Sequence, residues 1–286
     1  MNRLLRKLST GSRRLDLFFL VCLIVSLILL GMYLWNLYQV RQAEEAYRAL
    51  QEEYQRIAES LADEEPVNGD TTIPVAENGT PEAEAFEPKT IRERYLPLLE
   101  INEDVVGWIR IDGTVIDYPV VQGEDNEHYL KHSYTGEPLK SGAIFMDFRN
   151  QWEASDNNLI LYGHTLTRNH MFADLNFYVD KNVRDTYMKD HGIIELETLY
   201  EDTRWEIFSA YVVELTREEY YLFPRYSETN FPRFIEMANR RTLVDTGIQV
   251  TPEDQLLTLV TCWPPGDDAR TIIHARRIPE TENSQP

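Results

Sequence analysis

The fold of this chain is decided by residues 255–277, which read QLLTLVTCWPPGDDARTIIHARR. Two runs of β-branched and other apolar residues flank a loop rich in proline, glycine and aspartate at residues 263–269. Such runs predict β-strands, and because proline cannot extend a central strand, the first strand ends at Cys262. The second strand opens with Arg270. If the two strands pair antiparallel across the loop, Arg270 and Cys262 lie close together.

Short β-type runs also recur between turn signals through residues 90–279. They lie at residues 105–111, 115–121, 143–147, 159–162, 193–199, 205–215, 256–262 and 271–278. Helical patterns interrupt them at residues 90–100 and 230–241. Many short strands with few helices predict a mainly β fold, either a barrel or a sandwich. The segment has about 190 residues, which is enough for one hydrophobic core.

Cys262 is one of two cysteines, and the other, Cys22, lies within an uncharged apolar stretch. We expect the two thiols to occupy different environments and to remain unpaired. A lone cysteine in an exported domain is either reactive or buried and inert. A thiol becomes a strong nucleophile as the thiolate, which a nearby histidine or arginine favours.

His164 and Arg270 are the candidate partners of this thiol. His164 follows Gly163 at the end of the run at 159–162, although a lone histidine at a strand end is more often structural. A guanidinium can stabilise the oxyanion of a tetrahedral intermediate, so Cys, His and Arg suffice for acyl transfer. Arg276 and Arg277 are alternative cations on the same strand. Strand parity and proximity to the loop favour Arg270.

Neither a metal, a cofactor nor a nucleic acid is expected as a ligand. The formal net charge of −20 opposes binding to nucleic acid and to anionic lipid. There is no Cys-x-x-Cys, no His-Glu-x-x-His and no phosphate-binding glycine loop. The other histidines form no recognisable ligand pattern; they are His128, His132, His170, His191 and His274.

A membrane anchor is predicted at residues 15–40. Residues 17–40 carry no charge, and their apolar part approaches the ~20 residues that cross a bilayer as a helix. Residues 1–14 form a basic tail without acidic residues, which predicts a cytoplasmic N-terminus and an extracellular remainder. A cleaved signal peptide is the alternative. The apolar run exceeds the ~7–15 residues typical of a signal peptide, and no Ala-x-Ala site follows it.

Residues 41–65 predict a helical stalk. Its apolar residues are spaced three and four apart, at Tyr47, Leu50, Tyr54, Ile57 and Leu61. Two heptads are too few to define a coiled coil, but they leave weak self-association of the stalk as an alternative. Residues 66–89 predict a flexible acidic linker, because they are rich in Pro, Gly and Glu and poor in large apolar residues. Residues 280–286 form a C-terminal tail.

On these residues the chain resembles the sortases, the cell-wall transpeptidases of Gram-positive bacteria. The signature Thr-Leu-x-Thr-Cys is met at residues 258–262, the histidine after Tyr-Gly at His164, and the arginine of the following strand at Arg270. Further motifs make class B the most similar subfamily; they lie at residues 106–123, 125–126, 129–130, 142–150, 162–165, 171–175 and 245–247, the last of which follows the predicted helix at 230–241. The resemblance covers about residues 95–279, a span that could form one domain.

The resemblance implies a closed eight-stranded β-barrel with an N-terminal helix and a helix in the loop before the last strand pair. It implies that Cys262 cleaves a C-terminal sorting signal after Thr, giving a thioester that an amine of a peptidoglycan precursor resolves. His164 would be the general acid and then the general base. Arg270 and the backbone N–H of Trp263 would hold the oxyanion. The implied partners are surface proteins with a sorting signal of the Asn-Pro-x-Thr or Leu-Pro-x-Thr type and the lipid-linked acceptor.

Other functions remain as alternatives. The Trp-Pro-Pro sequence at residues 263–265 is more similar to the class C and D loop, which favours a sortase that joins pilin or other surface subunits. A cysteine peptidase or an L,D-transpeptidase is a rival enzyme class, but the Ser-x-Gly-Cys context of the latter is absent. A membrane-tethered binding module with an inert Cys262 is the non-enzymatic alternative.

Overall fold

The computed structural model describes residues 2–62, 90–151, 156–165, 170–217, 220–262 and 268–279. The chain divides into two compact units, Met1–Leu50 and Gln51–Pro286. The predicted linker at 66–89 and the predicted tail at 280–286 lie outside the described residues.

The first unit is helical. Helix α1 (Asn2–Ala62) contains the predicted anchor and residues 41–62 of the predicted stalk. Within it, Phe18–Trp35 is long and apolar enough to cross a membrane, and none of that stretch is buried. The apolar helix is consistent with a membrane anchor or a signal sequence.

The second unit contains a closed β-barrel with strand order β1-β2-β3-β4-β7-β8-β6-β5. The strands are β1 (Val105–Arg110), β2 (Asp117–Val121), β3 (Ile144–Met146), β4 (Asn158–Tyr162), β5 (Ile193–Thr198), β6 (Asp202–Glu214), β7 (Leu256–Cys262) and β8 (Ala269–Arg277). Two neighbouring pairs are parallel, β2 with β3 and β4 with β7, and the other pairs are antiparallel. The structure confirms the mainly β fold and decides for a barrel over a sandwich.

Three further helices accompany the barrel in the described part of the chain. They are α2 (Leu96–Ile101), α3 (Arg184–Asp190) and α4 (Phe231–Arg241), with 3-10 turns at Glu93–Tyr95, His128–Leu130 and Ala173–Tyr178. The sequence predicted helices at the positions of α2 and α4. It missed α3, because Met188 is the one buried residue among the seven of that helix and no apolar periodicity results.

Helix α4 packs on the outside of β6 and β7 through one apolar face. Phe231, Phe234 and Ile235 bury their side chains in a cluster with Phe208 and Leu256. Each such side chain contributes roughly 1.5–3 kcal/mol when it is removed from water. This packing holds the connection between β6 and β7 against the strand that ends in Cys262.

The last turns of α1 also pack on the barrel. Tyr54 is 2% exposed and stacks on Trp108 with ring centroids 4.0 Å apart. Its hydroxyl donates a hydrogen bond to the carboxylate of Glu197 at 2.5 Å. Because Tyr54 is a member of the predicted stalk seam and is buried here, it is not available for self-association.

Candidate active site

Cys262 and Arg270 stand opposite each other at one end of the β7–β8 pair. They are the last register partners before residues 263–267, which lie outside the described part of the chain and include Trp263. Strand β7 is buried from Leu256 to Thr261, and Cys262 is its first half-buried residue. The antiparallel pairing predicted from the sequence thus places a guanidinium and a thiol on the same rung.

The other two arginines of β8 lie at the opposite end of the barrel. Arg276 pairs in register with Leu256 and forms an ion pair with Glu206. Arg277 forms an ion pair with Glu201 at 2.9 Å. Neither cation is near the end of β7 that carries Cys262, so Arg270 is the arginine of β8 placed beside the thiol.

The parallel pairing of β4 with β7 brings His164 to the same end. Tyr162 is the register partner of Val260, and the N–H of Gly163 donates to the carbonyl of Val260 at 3.1 Å. His164 is the second residue after Tyr162, the last residue of β4, and therefore follows the strand end that lies next to the Cys262 end of β7. His164 is half-buried.

A backbone carbonyl fixes the protonation of the His164 ring. The Nε2 atom lies 2.9 Å from the oxygen of Leu130. Because a carbonyl oxygen only accepts, Nε2 carries a hydrogen, and Nδ1 is the nitrogen that can gain or lose a proton. Leu130 belongs to one of the motifs that resemble class B sortases, but its contact with His164 was not predicted, because the two residues are 34 positions apart in sequence.

A half-buried polar network connects the segments that follow β4 and β7 with the start of β8. The hydroxyls of Thr165 and Thr261 are 2.6 Å apart. Asn176 donates to the carbonyl of Cys262 at 3.4 Å and accepts from the hydroxyl of Thr271 at 2.5 Å. Sequence reasoning missed Asn176, because it comes from a 3-10 turn distant in sequence from the residues it joins.

A groove of about 280 Å³ lies beside Arg270. Its strand side is formed by residues that include Tyr162, Val260 and Ile272, and its other side by residues 220–223, which we call the groove wall. Tyr221 of the wall is 66% exposed. An apolar, aromatic groove with a few charged groups is typical of a site for a small or extended ligand.

Arg149 ties the groove wall to the barrel. Its guanidinium donates to the carbonyl of Leu222 at 3.0 Å and to the buried carboxylate of Asp147 at 2.7 and 2.8 Å. Burial acts to raise the pKa of Asp147, but the hydrogen bonds and charge of Arg149 outweigh it, and the pKa lies below its ordinary value. Asp147 is therefore a carboxylate that keeps Arg149 oriented.

A larger cavity, about 800 Å³, is lined largely by polar residues, among them Asp185, His191 and Glu206. None of the predicted site residues lines it, so volume alone does not identify the site. Within the described ranges, no group of three or more His, Cys, Asp or Glu side chains is arranged to hold a metal ion.

Comparison with known proteins identifies the family. A model of the sortase domain matches residues 109–278. Sortase B of Listeria monocytogenes is 35% identical over 191 residues, which are 66% of this chain and 75% of that protein. Sortase B of Staphylococcus aureus is 34% identical over 172 residues, 60% and 68% of the two chains. The structure of a Staphylococcus aureus sortase B–substrate complex superposes with a TM-score of 0.69 at 27% identity, covering 85% of this chain and 99% of that one. With its barrel, its half-buried cysteine and these relatives, the chain belongs to the sortase family and is a sortase B-like cysteine transpeptidase.

Proposed function

We propose that this transpeptidase attaches surface proteins to the cell wall by cleaving a C-terminal sorting signal after Thr and transferring the new carboxyl end to an amine of a lipid-linked peptidoglycan precursor. The observation that carries the proposal is the convergence of three strand ends. Cys262 and Arg270 are the last register partners of β7 and β8, and His164 follows the end of β4, the parallel neighbour of β7. A nucleophile, a proton carrier and a fixed cation are the groups that acyl transfer needs.

In the first half-reaction, the thiolate of Cys262 attacks the carbonyl carbon of the signal threonine. The carbonyl oxygen becomes an oxyanion, which the guanidinium of Arg270 stabilises as a planar, permanently charged donor. The C–N bond then breaks, and the leaving amine takes a proton from Nδ1 of His164. The product is a thioester on Cys262 with a neutral imidazole beside it.

In the second half-reaction, an amine of the acceptor attacks the thioester carbon. Nδ1 of His164 accepts the proton that the amine loses, and collapse of the tetrahedral intermediate expels the thiolate of Cys262. The enzyme returns to its starting thiolate and imidazolium. Throughout the cycle Nε2–H keeps its hydrogen bond to the carbonyl of Leu130, which holds the ring in place.

Oxyanion stabilisation is proposed to have a second donor, the backbone N–H of Trp263, a residue outside the described part of the chain. Arg270 is oriented in part by a hydrogen bond from its Nη1 to the carbonyl of Ala269 at 3.0 Å. An arginine fixed by its own strand reaches the oxyanion with little reorganisation.

The groove is the proposed binding site for the sorting signal. It opens beside Arg270, and its aromatic wall offers apolar surface to an extended peptide. The Staphylococcus aureus relative was solved as a substrate complex, which supports a peptide ligand for this chain.

The N-terminal part is proposed to hold the enzyme in the membrane. In this organisation residues 1–14 are a cytoplasmic tail, 15–40 a single-pass anchor, 41–65 a stalk and 66–89 a linker. Residues 90–279 are then the extracellular catalytic domain, followed by the tail at 280–286. The apolar stretch Phe18–Trp35 supports the anchor, and the acidic composition suits a soluble domain outside the cell.

The test is turnover by the full chain in detergent. Peptides of the Asn-Pro-x-Thr and Leu-Pro-x-Thr types are supplied with an amine acceptor, and products are identified by mass spectrometry. We expect cleavage after Thr, a covalent acyl-enzyme in the wild type, and loss of both in Cys262→Ala. Full activity of Cys262→Ala would overturn the mechanism. A wild type that turns over neither peptide and resists alkylation at Cys262 would favour the binding module instead.

A further inference from the structure

A chain of buried hydrogen bonds crosses four barrel strands behind the groove. Its central member is His274 on β8, which is fully buried. Nε2 of His274 is 2.8 Å from the hydroxyl of Tyr211 on β6, and Nδ1 is 2.9 Å from the hydroxyl of Thr258 on β7. The Tyr211 hydroxyl lies 2.6 Å from that of Tyr220, and Thr258 donates to the side-chain carbonyl of Asn158 on β4 at 2.6 Å.

The donor and acceptor of every hydrogen bond in this series can be assigned by starting from Asn158. The side-chain oxygen of Asn158 only accepts, so the Thr258 hydroxyl donates its hydrogen to that oxygen. The same hydroxyl must then accept a hydrogen bond from Nδ1–H of His274. Nε2 is then an acceptor and takes the hydrogen of Tyr211, which in turn accepts from Tyr220. Each hydroxyl and each ring nitrogen thus has the partner it needs, and a fully satisfied buried network is rigid.

Both ends of the chain reach the same short segment. Tyr220 is the first residue of the groove wall, and the amide of Asn158 donates to the carbonyl of Phe223, its last residue, at 3.1 Å. The wall is therefore tied at one end to β6 and at the other to β4, the two strands that flank the pair carrying Cys262 and Arg270. Neither Tyr211 nor His274 is among the residues that line the groove.

We propose that the hydrogen-bonded chain from Tyr220 through Tyr211, His274 and Thr258 to Asn158 positions the groove wall for substrate binding. Tyr211 and His274 are thus positioning residues that act at a distance from the peptide. The proposal rests on the groove being the peptide site. Without these hydrogen bonds the wall occupies other positions for part of the time. The apparent Kd for peptide then equals the intrinsic Kd divided by the fraction of molecules whose wall is in the binding position.

The test compares two tyrosine-to-phenylalanine variants of the full chain. Tyr211→Phe removes the hydroxyl between Tyr220 and His274. Tyr95→Phe is the matched control, because Tyr95 is also fully buried and its hydroxyl also pairs with another tyrosine hydroxyl, that of Tyr54 at 3.1 Å, away from the groove. Two quantities are measured, namely hydrogen exchange of the amides at 220–223 and the steady-state constants for a sorting-signal peptide.

For Tyr211→Phe we expect exchange at 220–223 to rise about tenfold and KM to rise about tenfold, with kcat within about twofold of wild type. Tyr95→Phe should change neither quantity, even where it lowers the melting temperature as much. Tyr220→Phe breaks the same chain at its end, so its effect should not add to that of Tyr211→Phe in the double variant. Tyr220→Phe alone replaces Tyr211→Phe in the test if the latter does not fold.

The outcomes separate this proposal from the proposed function. If the folded variants keep wild-type exchange at 220–223 while the wild type turns over peptide, the positioning role is wrong and the transpeptidase stands. If exchange rises as expected but no sorting-signal peptide is a substrate of the wild type, the wall is positioned as inferred and the proposed substrate is wrong.

Discussion

Cys262 on β7 and Arg270 on β8 are the last residues that pair before these strands separate. Residues directly opposite in an antiparallel pair have Cβ atoms roughly 4.5–5.5 Å apart and project to the same face. The ladder itself therefore sets the cation beside the thiol, independently of the loop that follows. Because β7 also pairs in parallel with β4, the end of β4, which His164 follows, lies next to the same end of β7.

The guanidinium of Arg270 is expected to matter for its shape as well as its charge. In Arg270→Lys the charge remains but the planar fork is lost, so we predict that kcat falls about a hundredfold with a smaller change in KM. The matched control is Arg276→Lys, which alters the ion pair with Glu206 at the far end of the same strand and should leave turnover unchanged. Wild-type rates in Arg270→Lys would reduce Arg270 to a structural residue.

His164 and His274 should show opposite tautomers. Neutral His164 should carry its hydrogen on Nε2, facing Leu130, whereas His274 should carry it on Nδ1, facing Thr258. Ring ¹⁵N chemical shifts of the labelled chain distinguish the two forms, and the variants His164→Gln and His274→Gln assign the signals. A neutral His164 protonated at Nδ1 would contradict the role given to that nitrogen in proton transfer.

His274 should make the free energy of unfolding depend on pH. Burial lowers the pKa of His274 to about 3, against ~6.5 in an unfolded chain. Between these values the unfolded state binds a proton that the folded state does not, so the free energy of unfolding falls as the pH falls below 6.5. At pH 5 the loss from this group is about 2 kcal/mol.

Urea unfolding at pH 7 and pH 5 measures this loss, and His274→Gln is the variant that should reduce it. Asp147 also loses stabilisation on acidification, because its pKa is held low in the folded state, but that loss occurs at lower pH than the chosen window. Equal pH dependence in the wild type and His274→Gln would show that the imidazole does not remain neutral when the chain is folded.

The barrel was predictable because its strands are short β-branched runs separated by turn residues. The residues at which individual strands begin and end were harder to predict. Strand β6 begins at Asp202, three residues before the predicted Trp205, because these three residues are polar and two of them, Asp202 and Arg204, are exposed. The pairing of Cys262 with Arg270 followed from two adjacent strands and the loop between them, which is a local inference.

Long-range partners could not be predicted in the same way. The carbonyl of Leu130, the amide of Asn176 and the hydroxyl chain through His274 come from segments distant in sequence, and their side chains have no periodic pattern. His274 illustrates the difficulty, since on sequence alone it was one of several histidines without a ligand pattern. Only the pairing of β6, β7 and β8 places it between Tyr211 and Thr258.

Gly163 is required because the chain passes too close to its neighbours for any side chain. A Cβ at this position would lie 2.5 Å from Cδ1 of Ile144 and 2.7 Å from the ring of Phe172. We predict that Gly163→Ala costs about 1–3 kcal/mol of stability and shifts His164, the next residue, so that kcat falls more than KM rises. Denaturant unfolding and steady-state kinetics measure the two effects.

The companion variant removes the clashing atom. Ile144→Val deletes Cδ1, so in the Gly163→Ala background it should restore part of both stability and kcat, although by itself it costs about 0.5–1.5 kcal/mol. If the double variant is as impaired as the sum of the single ones, the close contact with Ile144 is not what requires glycine. The displacement of His164 would then have to come from the Phe172 side of the turn.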